Sequence, residues 1–150
     1  MSIGSQNEND HPLITEFVDL VNETVSENVL DFADIQSKPF IRFWPNLLIL
    51  KAAEDKANRP DAFIKLWGGA WVGAHGSEMT GKNFSEINLG NVKDEILKTH
   101  LKSLKDREMF IAYSLPNWTG MEFEIGCMHV TFPLKRGDGV TETLTCASFK

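Results

Sequence analysis

Gly76-x-x-x-x-Gly81-Lys82 reproduces most of a phosphate-binding loop, in which backbone N–H groups and a lysine cradle phosphate oxygens. The match fails at Asn83, where magnesium ligation needs Ser or Thr. It also lacks a helix beginning at once, because Phe84-Ser85-Glu86-Ile87-Asn88-Leu89-Gly90 leaves room for only a turn or two. The loop reads as a structural connection. His75 and His129 stand far apart without recognisable ligand spacing, so no metal site is expected. His100 falls four residues after Ile96 and four before Leu104, on the inward ridge of a helical pattern, and should face a sheet. Cys127 and Cys146 have no basic neighbour to activate them and read as small buried apolar residues. Glu122 and Glu124 alternate with Met121 and Phe123, which points both carboxylates to solvent instead of pairing them as acid and base. With no set of nucleophile, base and orienting group in view, no catalytic activity is expected.

The elements that must position these side chains belong to a chain of 150 residues with 42% hydrophobic residues, enough for one domain with its own core. The net charge of -6 argues against a nucleic-acid partner, which would call for a concentrated basic surface. The densest basic stretch, Lys93 to Lys105, is interleaved with Asp94 and Glu95 and followed by Asp106, as a solvated helix face is. No run approaches the roughly 20 apolar residues of a membrane span. The N-terminus is polar and acidic, without the basic start and apolar run of a signal peptide, so a cytoplasmic protein with reduced cysteines is expected.

Residues 1–10 are polar and aperiodic and predict a disordered lead-in; 11–31 form an N-terminal flanking segment and 32–150 the domain proper. Pro12 suits a first helical position, and Leu13, Phe17, Leu20, Val21 and Val25 fall on one stripe, predicting a helix to about Asn28. A shorter helical segment over Phe32 to Phe43 is interrupted by Pro39. Extended runs are predicted over Leu47–Ala53, Ala62–Ala74, Met109–Leu115, Met121–Leu134 and Thr141–Phe149, with a helix over Asn91–Arg107 whose stripe includes Val92, Ile96, Leu97, Leu101 and Leu104. The apolar phase of the fourth run switches beside Gly126, which predicts a bulge. The fold class is α+β, an antiparallel sheet with helices on one face.

The run Phe63-Ile64-Lys65-Leu66-Trp67-Gly68-Gly69-Ala70, followed by Gly76-Ser77-Glu78-Met79-Thr80-Gly81-Lys82-Asn83-Phe84, resembles the short stand-alone bacterial PAS proteins. Trp44-Pro45-Asn46-Leu47-Leu48-Ile49-Leu50 is similar to the lead-in of that family's first strand. Phe132-Pro133-Leu134 with Gly137-Asp138-Gly139 is similar to its penultimate strand and hairpin. The resemblance spans roughly Pro39 to Phe149. It implies a five-stranded antiparallel sheet in the order 2-1-5-4-3 and a sensory or regulatory module, binding a small ligand or a signalling partner such as a histidine kinase or a cyclic-nucleotide enzyme.

It also implies a ligand pocket between the long helix and the sheet, for which Trp44, Phe63, Trp71, Phe84, His100, Phe110, Tyr113 and Phe123 are candidates. The comparable stretch Gly81-Lys82-Asn83-Phe84 lacks the cysteine of flavin photosensors. Haem-binding members present an axial histidine from the long helix, which leaves haem on His100 as an option beside a plain core histidine. Flanking helices often build the dimer in such proteins, which makes Leu13, Phe17, Leu20, Val21 and Val25 candidates for a homodimer interface if the helix does not fold back on its own sheet. The alternative class is a cone-shaped α+β enzyme, which needs an inward carboxylate or histidine dyad.

Overall fold

The structure, a computed structural model, describes residues 10–117 and 125–150. Helix α1, Pro12–Thr24, starts with proline in its first turn, where no hydrogen bond is lost, and buries Ile14, Phe17 and Val21. Val25 is already extended, so the helix stops short of Asn28. A two-residue strand β1, Leu30–Asp31, leads into α2, Phe32–Ile35, which Asp31 and Asp34 close with a reciprocal capping box. Pro39 has no N–H with which to continue α2, so the segment expected over Phe32 to Phe43 divides and restarts as α3, Lys38–Ile41.

Strands β2 (Leu47–Glu54) and β3 (Pro60–Trp67) form a hairpin closed by Asp55, whose carboxylate accepts from Ala57 N, Arg59 N and Arg59 Nε. Next come α4 (Gly69–His75), short helical turns at Phe84–Glu86 and Gly90–Val92, and α5 (Lys93–Asp106). The chain ends with β4 (Phe110–Ser114), β5 (Cys127–Arg136) and β6 (Gly139–Phe149). Gly137, at φ 65, makes the turn between the last two strands.

The sheet has six strands in the order β1-β5-β6-β2-β3, with β4 also pairing with β5, and β1 lies parallel to β5. With β1 included, this differs in strand number, order and direction from the expected five-stranded, all-antiparallel sheet in the order 2-1-5-4-3: two residues are too few to leave a periodic signal in the sequence. The helices also cover both faces instead of one. Leu47, Leu48, Ile49 and Leu50 are all buried, as in a strand with no solvent face. Leu47 and Ile49 join Phe17, Phe40, Phe43, Val130, Phe132 and Leu144 in one core. Leu48 and Leu50 join Trp67, Trp71, Phe84, Leu89 and Ile96 in the other.

The extended run expected to reach Ala74 ends at Trp67, because Gly68 turns the chain into α4. A Cβ on Gly68 would overlap the Trp44 and Pro45 carbonyls, and its N–H donates to Leu47 O at 2.9 Å. Trp71 and Ala74 then face inward three residues apart, a helical spacing that a short apolar run conceals. The bulge expected beside Gly126 depends on Met121 and Phe123, which lie outside the described residues, as do residues 1–9 of the expected lead-in. Register shifts occur at Ile49/Leu50 and at Leu134/Arg136.

Candidate functional site

Helix α5 carries Asp94 and Glu95 in its first turn and Lys105 in its last, signs that suit the helix dipole. Its buried residues are Ile96, His100 and Ser103. Leu101 and Leu104, expected in the core, are half-buried on its flank, so the ridge through His100 meets the sheet.

Beneath that ridge the sheet presents polar side chains. His129 and Thr131 from β5 and Thr143 and Thr145 from β6 are all buried. Thr131 and Thr145 are directly paired across the strands and share a hydroxyl hydrogen bond of 2.7 Å. His100 Nδ1 is 2.6 Å from Thr143 Oγ1, and the Ser103 hydroxyl donates to Glu108 O at 2.7 Å. His129 Nε2 stands 3.9 Å from the Glu95 carboxylate, beyond hydrogen-bond reach; the Glu95 side chain is 43% exposed and that of His129 only 2%. Glu95 thus marks the rim of the seam and His129 its inside.

The Nε2 atoms of His100 and His129 have no hydrogen-bond partner, and neither has a water-sized space against it. An unpaired polar atom in such a place costs about 1–3 kcal/mol. Burial also holds both imidazoles neutral, pushing each from 6.5 down to about 4. Cys127, on the same face as His129, is pushed up to about 12 by burial, and burial likewise raises Cys146, so neither thiol is a ready nucleophile. The seam therefore holds two neutral bases, each with one bare nitrogen, sealed under one helix. Among the described residues no group of three or more His, Cys, Asp or Glu side chains is placed to hold a metal ion.

The aromatic pocket candidates are divided between the two faces. Trp71 and Phe84 lie in the core on the α5 side, Trp71 edge-on to Phe149 at 5.2 Å. Trp44 and Tyr113 pack against the core on the α1 side, where the Trp44 indole donates to Ile35 O. Phe63 is half-buried on β3, and Phe110 lies under the Lys102 ammonium at 4.8 Å. Phe123 lies outside the described residues. Two clefts, of about 680 and 480 Å³, open on the outside among charged side chains, and no aromatic candidate lines either.

The helical stripe expected at a dimer interface covers this chain's own sheet. Phe17 and Val21 are fully buried, and Leu13, Leu20 and Val25 pack half-buried around them. The glycine loop is consumed structurally as well. Gly81 N donates to Ile64 O, Ile64 N to Lys82 O and Gly76 N to Val72 O, leaving no cradle of free amides for a phosphate.

His129, Thr131, Thr143, Thr145, Glu95 and Ser103 were not legible as a site. Along β5, His129 and Thr131 alternate with Met128, Val130 and Phe132, a pattern that ordinarily denotes a solvent face. The alternation was the available signal, and the covering helix reversed its meaning. Comparison with family models, with curated proteins and with solved structures gives no match for this chain.

Proposed function

We propose that this protein is a PAS-type sensory or regulatory module whose output passes through α5 and the central strands. The observation that carries the reading is the arrangement of the five antiparallel strands. Counted from β2, they are linked by the pairings β3–β2, β2–β6, β6–β5 and β5–β4, the second-first-fifth-fourth-third succession of such modules, with α4, the short turns and α5 inserted after the second. The extra strand β1 sits beyond that set, on the β5 edge shared with β4. In this reading a small polar ligand or a partner protein, such as a histidine kinase or a cyclic-nucleotide enzyme, shifts the balance between packed and loosened α5.

His100 has the chemistry of an axial haem ligand, with Nδ1 held by Thr143 and Nε2 bare. The space does not fit, because a group as large as haem cannot approach a nitrogen that lacks room for a water. The same closure weighs against the enzyme alternative, although His100 and His129 supply the inward bases it would need.

The test is nuclear magnetic resonance of the labelled protein, challenged with a panel of small organic acids, amines and nucleosides. Perturbations confined to α5 and the facing residues of β5 and β6 support the sensory reading. Turnover of a panel compound that disappears in His129→Gln would replace it with the enzyme. A visible absorption band in freshly purified protein would replace it with a coloured cofactor.

A further inference from the structure

Two histidines buried under one helix, each with a nitrogen that nothing satisfies, form an arrangement whose stability depends on their staying unprotonated. With Nδ1–H donating to Thr143 Oγ1, a proton at His100 Nε2 adds a second N–H donor and a positive charge, and among the described residues no side-chain acceptor bonds that nitrogen. Thr143 is already engaged by Nδ1 of the same ring, and Thr131 and Thr145 bond to each other. The residues of β4 that pair with β5 over this stretch, Phe110 to Ser114, carry no acid or amine. On β5, Cys127 is a neutral thiol, and the facing positions of β6 are threonines and Ala147. On α5 itself Lys102 lies over the Phe110 ring and would repel the new charge. Among the described residues the anion at the seam is Glu95, 3.9 Å from His129 and half in solvent. The two histidines are therefore unequal: His129 has a carboxylate that can swing inward to meet a proton, and His100 has none.

We propose that the seam is a proton-operated latch: protonation of His100 and His129 releases α5 from the sheet while α1 stays packed on the opposite face. The inference stands on the geometry of the seam and goes beyond the sensory reading, since it holds whether or not a ligand binds. The selectivity follows from placement. The α1 side has one buried histidine, His11, which burial also lowers; it lies at the start of the helix, its Nδ1 is met by Ser148 Oγ at 2.8 Å, and it has Asp10 as well as Lys150 for a charged neighbour. The rings around Phe17 carry no histidine: the Arg42 guanidinium lies over Phe43 at 4.0 Å, and the buried Glu142 carboxylate on that side is already met by Arg136 at 2.7 Å.

The experiment is amide hydrogen exchange of the full chain between pH 7 and pH 4, with each rate corrected for its intrinsic pH dependence. The opening constant of residues 93–106 is expected to rise about tenfold per pH unit from one linked proton, and toward a hundredfold where both histidines take part. Exchange in α1 should follow a shallower course. His100→Gln removes the unmet proton and should flatten the α5 response, whereas Glu95→Gln removes the one counter-charge and should steepen it. His11→Gln should leave α5 unchanged. Loss of protection in α1 and α5 together, or a full α5 response in His100→Gln, overturns the latch. If His100→Gln does not fold, the wild-type imidazole resonances decide: protonation of His100 in step with α5 opening supports the latch, and protonation under a helix that stays closed overturns it.

Discussion

The two faces of this sheet are both buried, and they are built from different materials. On the α1 side Phe17 meets Phe40, Phe43 and Phe132 edge-on at 6.0, 5.1 and 6.0 Å, an aromatic core whose energy comes from burial and ring geometry. On the α5 side the middle of the sheet offers histidines and threonines to a helix that answers with His100 and Ser103. Equal burial thus hides unequal chemistry. The aromatic face, whose one buried histidine lies at its margin, should be the less sensitive to pH and the less tolerant of truncation, and the polar face the reverse. The first fixes the domain, and the second gives it an element whose attachment depends on conditions.

The largest effect expected is at the centre of the aromatic face. Phe17→Ala should cost about 3–5 kcal/mol in urea denaturation, because the cavity left among three rings cannot collapse. Phe17→Glu should yield unfolded or expanded protein in light scattering. A wild-type dimer converted to a well-folded monomer by that substitution would show that the α1 face is an interface between copies and break the contrast.

Acid should act on the other face. Both His100 and His129 fall from 6.5 to about 4 on folding, so the unfolded chain binds more protons throughout that window. Their contribution is complete above pH 6.5 and is lost as the pH falls toward 4, up to about 3 kcal/mol for each. Denaturation midpoints measured at pH 7, 5.5 and 4.5 check this, and a flat profile would remove the distinction between the faces.

Smaller effects sharpen it. Leu104→Ala, on the flank of α5, should cost about 1 kcal/mol, well below a core leucine, and a loss above about 3 would place Leu104 back under the helix. Lys82→Ala should change stability by less than about 0.5 kcal/mol. Calorimetry should show no magnesium-dependent ATP binding with or without it, since the Gly81 and Gly76 amides are already bonded to β3 and α4.

Several elements were legible because their signals are local. The stripe Val92, Ile96, Leu97, Leu101, Leu104 gave α5 to within two residues at either end, and Pro12 with its periodic followers gave the start of α1. The edge strand Phe110–Ser114 was read as an extended run, and the hairpin through Gly137 from the resemblance of Gly137-Asp138-Gly139. The failure of the phosphate loop was also visible in the sequence, at Asn83.

Local pattern was therefore enough for the α+β class, most element positions and the inward direction of His100. The tertiary structure alone decided that α1 folds onto the second face, that Leu30–Asp31 joins β5, and that His129 and three threonines lie under a helix instead of in water. The physical reason is range. Periodicity reports which residues share a face, over spans of one element. What covers that face is fixed by residues tens of positions away, and for a polar strand face the cover separates a solvated surface from a sealed site.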